Sequence, residues 1–573
     1  RRVEAVYARG GESGERQTLL ENTRKGFLRH GVGLPDDERK RFAANEEEIA
    51  QLGLRFSQNT LADRVDWTLH LTAESDLEGL PDTVRDAARD EARARGLEGW
   101  VFTLEAPSYV PFMQHSARRP LREQMWRAYS SIGNRGNDND NNGTIRRMVQ
   151  LRSEQARLLG YDTYCDYVLE DRMVQSLPSL RHFMRRLEEA VLPVAREDLR
   201  EVEAERQADP AQHAAAEGPM MPWDFAYYAE RLRRRRFDFD EELVRPYFPA
   251  DAVCKGIFAL YGRLYGLRFT ELHNVDVYHP DVRAFRVEEG DRLLGWLYLD
   301  LYPRASKRSG AWMTEFRGQH GPTRPQIQVV CNFSKPTGGQ PSLLRFSEVE
   351  TFMHEMGHAM HGMLSEVAYE SLSGTNVKRD FVEMPSQLME NWCYEPSFLA
   401  TFARHWQSGE PLPSAYVDRI RAARNHLAGW YCLRQLNLGL TDIAFHTDAW
   451  RQAGEPWCAE HVEQQAMTDL LPRIGGCCTS TSFGHIFGGG YASGYYGYKW
   501  AEVLDADIFG SRFQREGIFN RRTADDFRRM VLGRGGSEHP AALFRLFMGR
   551  DPDPDALLRR MGIAPAAANT PDR

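Results

Sequence analysis

The sequence lacks the features that most directly assign a chain to a class. Its eight cysteines, Cys165, Cys254, Cys331, Cys393, Cys432, Cys458, Cys477 and Cys478, are scattered through 573 residues and form no C-x-x-C pair. That spacing argues against cysteine-ligated zinc and fits free thiols in a reducing compartment, so a cytoplasmic protein is expected. The chain starts at Arg1 without a methionine, which leaves an upstream leader open. No apolar run approaches the ~20 residues that span a bilayer, and no membrane is expected as a partner. Positive charge is not in excess: 73 basic residues face 81 acidic ones, for a net charge of −8, which argues against a nucleic-acid surface. The polar loop 133–143 carries Asp138, Asp140, Asn142 and Gly143 in a faint calcium-loop pattern. The closing position is Val149 rather than a glutamate, which excludes calcium there. There is no internal repeat.

What is present is an ordinary globular composition, 42% hydrophobic and 27% charged, in a chain long enough to divide into lobes. Residues 1–273 read as an N-terminal helical lobe. Ile49, Leu52, Phe56 and Leu61 recur at helical spacing in Glu46–Val65, and residues 81–95, 121–131 and 144–215 read the same way. The basic run Arg231 and Arg233–Arg236 lies close to Asp238, Asp240, Glu241 and Glu242. It fits a solvated helix face, with a patch for acidic peptide ends as the alternative. Residues 274–335 change period and predict one small antiparallel sheet with strands at 275–278, 284–287, 293–302, 310–317 and 326–333. Gly310–Phe316 is the candidate edge strand for substrate backbone, with a strand that only packs on the following helix as the alternative. Residues 336–573 return to helices, at 348–364, 383–405, 412–445, 455–471, 492–512, 523–533 and 540–548, with a fraying tail at 564–573.

The chemistry concentrates in Ser347–His361, which contains His354-Glu355-Met356-Gly357-His358, an H-E-x-x-H pattern. On a helix, residues four apart share one face about 6 Å apart along the axis. Two imidazoles so placed hold one zinc, with Glu355 aimed at a water on the metal. Ser347 with Glu350 predicts a capping box, and Val349, Met353, Met356, Met360 and Met363 predict a buried stripe. A helix with two ordinary polar histidines satisfies the same letters. Zinc in a peptidase takes three protein ligands and one open position. His361 lies on nearly the same face, but a straight helix does not easily bend it back to a metal between 354 and 358, so it is the alternative third ligand. The better candidate is Glu383, in Asp380-Phe-Val-Glu-Met-Pro-Ser-Gln387, where a second helix begins with Pro385 in its first turn. A charge favoured by the helix dipole is the competing explanation. Gln387 and Glu390, further along, are placed to orient the histidines.

A second stretch, His485–Lys499, combines three consecutive glycines, Gly488–Gly490, with Tyr491, Tyr495 and Tyr498. The glycines predict a mobile loop able to close over substrate. A phenol is a neutral donor at pH 7 and suits an oxyanion; an aromatic packing stripe is the alternative.

Together these pieces resemble the zinc oligopeptidase family of thimet oligopeptidase, oligopeptidase A and dipeptidyl carboxypeptidase. The matching motifs are Phe352–His361, Ser373–Asn376, Asp380–Gln387 with Glu390–Trp392, Phe483–Tyr498, Lys499–Glu502 and Arg534–Glu538. Pro222–Tyr228, Arg245–Phe248, His279–Val282 and Cys331–Phe333 extend the likeness upstream. The resemblance implies a mainly α, two-lobed zincin-type metallopeptidase with a small antiparallel sheet and a deep central substrate channel, its chain starting inside the family pattern without an N-terminal helical segment. It implies one zinc per chain on His354, His358 and Glu383, with Glu355 as general base and acid. Tyr498 and Tyr491 would donate to the intermediate, and His485 and Tyr495 would contact substrate. Met356 stands where the family usually has an aromatic residue. The implied activity is hydrolysis of short unstructured peptides by a monomer. Release of C-terminal dipeptides is the close alternative and non-catalytic peptide binding the remote one.

Overall fold

The computed structural model describes residues 1–564 except 211–217, 239, 305, 309 and 338, so of the tail at 564–573 only Ala564 lies among the described residues. The chain folds as two compact units, each assembled from separated stretches. One comprises Arg1–Gly33, Glu241–Arg421 and Gly497–Arg560; the other comprises Leu34–Asp240, Ala422–Tyr496 and the stretch from Met561. This division cuts across the contiguous blocks 1–273, 274–335 and 336–573. Helical period reports which face of a helix is apolar but not which distant segment covers it.

The second unit is built on long helices, among them Asp36–Val65, Asn142–Leu158, Leu177–Gln207, Pro222–Phe237 and Ala428–His446, with one hairpin-like pair of strands, β1 (Thr68–Leu71) and β2 (Trp100–Thr103). Its basic run is neutralised internally. Arg233 and Arg234 pair with Glu230, Arg235 with Glu205 and Arg236 with Glu201. The solvated-face reading accounts for these pairs. The expected helix at 412–445 is two helices, Ser414–Ala423 and Ala428–His446, parted by Leu427 at φ 54°.

The first unit holds a five-stranded sheet of β3 (Leu267–Leu272), β4 (Arg283–Glu289), β5 (Arg292–Asp300), β6 (Trp312–Arg317) and β7 (Gln326–Val330), in the order β3-β4-β5-β7-β6. Three of its pairings are antiparallel, and β5 runs parallel to β7. The first strand is Leu267–Leu272 rather than 275–278. Val275, Val277 and Tyr278 are more than a third exposed, so their β-propensity has no packed surface to serve. β6 lies at the sheet's edge and, among the described residues, pairs with β7 alone.

The helix Phe346–Met363 packs on β5, β6 and β7, and its expected stripe of Val349, Met353, Met356, Met360 and Met363 is buried together with Phe352. Its start lies ahead of the expected capping box. The Arg345 N–H donates to Glu348 Oε2 at 2.8 Å, while Glu350 receives the Tyr394 hydroxyl at 2.5 Å. A second helix, Met384–Glu390, crosses close to it. The expected 383–405 helix ends at Glu390, tightens into a 3-10 turn over Asn391–Tyr394 and breaks at Glu395, whose extended backbone precedes Pro396 at the start of the short helix Pro396–Leu399.

The crossing is tight. A Cβ on Gly357 would lie 2.6 Å from Ser386 Cα, a distance backbone atoms cannot share. Gly357→Ala is therefore expected to destabilise the chain by about 1–3 kcal/mol through overpacking, where an open helical glycine would gain stability from the same change. Chemical denaturation of the two proteins checks this.

Glu315 on β6 points under the end of the first helix. Its Oε1 has no hydrogen-bond partner, and burial, followed by the neighbouring Glu370, pushes its pKa up to about 7. The folded chain thus keeps a proton that the unfolded chain releases near 4.5. Support from this position is full below the unfolded value and is lost as pH rises through about 7. Glu315→Gln is expected to match wild type at pH 4 and to exceed it at pH 8 by on the order of 3 kcal/mol, read from urea midpoints at the two pH values.

Candidate metal centre

His354 and His358 stand one turn apart on Phe346–Met363, and both face Glu383 at the start of the second helix. Glu383 Oε2 lies 3.1 Å from His354 Nε2 and 3.1 Å from His358 Nε2. The three donor atoms all fall within 4.8 Å of one another. Glu383 is buried, which works against its charge. His358 and the hydrogen bonds from both rings outweigh that and hold its carboxyl well below the usual range.

His354 is fixed from its other side. Its Nδ1 lies 2.6 Å from Glu390 Oε1, which places a ring proton on Nδ1 and leaves Nε2 as the nitrogen that faces Glu383. Burial alone would keep this ring neutral, but Glu383 and Glu390 hold it well above its ordinary value. Two imidazole nitrogens and a carboxylate oxygen thus converge on a place that demands one positive charge. A tetrahedral cation with an open fourth position meets that demand with the same three atoms.

Glu355 lies beside this group on the same helix. Burial raises its pKa, and Glu383 and Glu390 raise it further against the opposing pull of the two histidines. Its Oε2 and the Nδ1 of His358 are buried without a hydrogen-bond partner. An orphaned carboxylate oxygen is costly, and a water or ion beside Glu355 removes that cost, whereas His358 Nδ1 lies across the ring from the nitrogen that faces Glu383. The donor set therefore fits a resident metal.

His361 stands outside the converging group. It is fully buried with neither ring nitrogen partnered, and burial, then His358, pushes its pKa down to about 3, so the ring is neutral. Gln387 does not reach a histidine as expected. Its Nε2 donates to the Tyr498 carbonyl at 3.2 Å, because its turn of the helix faces the helix Gly497–Ile508 instead. That bond secures the backbone of Tyr498 against the second helix.

The second unit gathers the other three residues. The His485 ring meets Tyr491 and Tyr495 edge-on, with centroids 5.8 Å and 5.4 Å away, and Phe483 packs on Tyr495 at 4.9 Å. The Tyr495 hydroxyl donates to Gln435 Oε1 at 3.0 Å. Gln435 was not a sequence candidate. Its signal was its place on Ala428–His446, one face of which also carries the buried Asp442.

Comparison with known proteins places this geometry. The model of peptidase family M3 matches residues 112–563. The chain is 38% identical to Oligopeptidase A of Escherichia coli (strain K12) over 555 residues, covering 95% of this chain and 81% of that protein. It is 33% identical to Dipeptidyl carboxypeptidase of the same strain over 584 residues, covering 98% and 83%. The solved structure of PZ peptidase A with an inhibitor shares the fold, with a TM-score of 0.54 at 14% identity over 92% of this chain and 76% of that one. A family match over most of the chain, with a His-His-Glu group inside it, leaves one assignment: the chain belongs to peptidase family M3.

Proposed function

We propose that the chain is a zinc-dependent oligopeptidase that hydrolyses peptide bonds within short unstructured peptides, with one zinc held by His354, His358 and Glu383. The observation that carries the reading is the convergence of these three donors beside a buried carboxyl, Glu355, whose Oε2 lacks a partner. A set of two imidazoles and one carboxylate suits zinc among the common metals.

Bound zinc supplies Lewis acidity, which polarises the scissile carbonyl and brings the pKa of water towards ~7. Glu355 accepts the proton of the attacking water and returns it to the leaving amine nitrogen. A carboxyl raised by burial suits both transfers near neutral pH. Glu390 holds the His354 ring in one tautomer and orientation. Tyr498 and Tyr491 donate to the oxyanion of the tetrahedral intermediate, each worth ~3 kcal/mol of barrier. His485 and Tyr495 contact the substrate. The unpaired edge of β6 accepts substrate backbone as an added strand, which favours extended peptides over folded ones. No helix among the described residues is long and apolar enough to cross a membrane, and action as a cytoplasmic monomer completes the proposal.

The second reading, release of C-terminal dipeptides, rests on the 33% identity to Dipeptidyl carboxypeptidase. A decapeptide with a free C-terminus and its amidated twin separate the two. The proposal expects internal cleavage of both, whereas an exopeptidase that binds the terminal carboxylate cuts only the free one.

Glu355→Gln is expected to keep one zinc per chain and to bind peptide, while turnover falls by about 10²–10⁴-fold. Wild-type turnover by this variant would remove Glu355 from the mechanism. Metal analysis of Glu383→Ala is expected to find the zinc lost, while His361→Ala retains it. The reverse pattern would make His361 the third ligand.

A further inference from the structure

The loop that carries Tyr491 and Tyr495 is gripped at both ends by a single buried chain of side chains. At its far end, Asp442 accepts three consecutive backbone N–H groups: Ser493 to Oδ1 at 2.8 Å, and Gly494 and Tyr495 to Oδ2 at 2.9 Å each. At its near end, Arg152 Nη1 donates to the Ile486 carbonyl at 2.9 Å. His446 joins the two grips. Its Nδ1 lies 2.8 Å from Asp442 Oδ1, and its Nε2 lies 2.8 Å from Arg152 Nη1. Arginine only donates, so Nε2 is the acceptor and the ring proton sits on Nδ1, which lies 2.8 Å from both the Asp442 backbone carbonyl and its Oδ1. All three side chains are buried.

The segment between the grips is short, and its other backbone bonds are local: Gly488 N–H to the Gly484 carbonyl at 2.8 Å, Tyr491 N–H to the His485 carbonyl at 2.9 Å and Gly494 N–H to the Tyr491 carbonyl at 2.8 Å. Phe487 plugs into the core against Phe56 and Phe445, while Gly488, Gly489 and Gly490 are exposed. Beyond them, Ser493 adopts φ 55°, a left-handed conformation that L residues disfavour. Successive N–H groups around such a residue point the same way and form an anion cradle, which the Asp442 carboxylate fills. The strain at Ser493 thus persists because three charge-assisted hydrogen bonds overdetermine it.

We infer that Arg152, His446 and Asp442 form a staple that positions the Gly-Tyr loop for the reaction, with Asp442 as its principal positioning residue. This rests on the reading of Tyr491 and Tyr495 as substrate contacts. The staple itself touches neither substrate nor metal. It closes the neck of the loop so that the glycines can move while the tyrosine backbones stay in register.

The test compares Asp442→Asn with wild type in three measurements: zinc content, steady-state kinetics on a decapeptide, and hydrogen exchange by segment. Asparagine keeps the shape but turns one oxygen into an N–H₂ group facing N–H donors. The expected result is one zinc per chain, a kcat lowered by about 10²-fold with KM little changed, and exchange in 488–495 faster by about tenfold or more while the rest of the chain exchanges as before. His446→Asn keeps a donor for Asp442 and gives up only the acceptor for Arg152, so a smaller loss of the same kind is expected, and this variant stands in if Asp442→Asn does not fold. Unchanged exchange over 488–495 overturns the proposal. So does a uniform rise in exchange with loss of zinc, which marks a general role in folding. If Tyr491→Phe and Tyr495→Phe turn over peptide like wild type, the reading of the tyrosines fails, while the exchange data still decide whether the staple exists.

Discussion

The close crossing of two helices at Gly357 is the constraint on which the metal centre depends. Neither helix carries three ligands. His354 and His358 belong to one, and Glu383 opens the other. The second helix reaches the first because nothing stands between the Gly357 backbone and Ser386, and this is what puts Glu383 Oε2 at 3.1 Å from both rings. The same crossing brings Glu390, two turns further, to the outer nitrogen of His354. One side chain's absence therefore decides which carboxylate faces the two rings and which one holds His354 from its other side.

Around that crossing the usual accounting of buried polar groups changes. Several buried carboxylates elsewhere in the two units are matched. Asp300 meets Arg304 and Lys307, Asp505 meets Arg560 and Asn391, and Asp224 meets Arg119 and Arg122. On or under the metal helix, however, Glu355 Oε2, His358 Nδ1, both nitrogens of His361 and Glu315 Oε1 are buried without partners. Each such atom costs about 1–3 kcal/mol when left dry. Unpartnered buried atoms occur elsewhere too, but here they gather on one helix, beside the two histidines and Glu383.

Much of the site was legible along the chain because its chemistry is local. H-E-x-x-H needs only a helix to bring two rings to one face, and the methionine stripe supplied that helix. Pro385 marked the start of the second helix, and Glu383 stood beside it. Less local features were misread. The strand expected at 275–278 formed instead at Leu267–Leu272, since β-branched residues pair only where a sheet surface is free to receive them. Gln387 turned to Tyr498 rather than to a histidine. The Arg152–His446–Asp442 chain joins residues hundreds of positions apart, and only the four-residue spacing of Asp442 and His446 hinted at it.

By itself the sequence determined the residue types, the helical period that aligns His354 with His358, and the motifs shared with peptidase family M3. These depend on the 3.6-residue repeat and on chemistry carried within a few turns of chain. Tertiary structure alone decided that Glu383 joins the histidines while His361 stays buried and neutral outside them. It also decided that the sheet takes one parallel pair and that the tyrosine loop is held by a carboxylate from another helix. Those outcomes turn on which distant surfaces come into contact, and that is set by packing between segments whose separation along the chain carries no information about their distance in space.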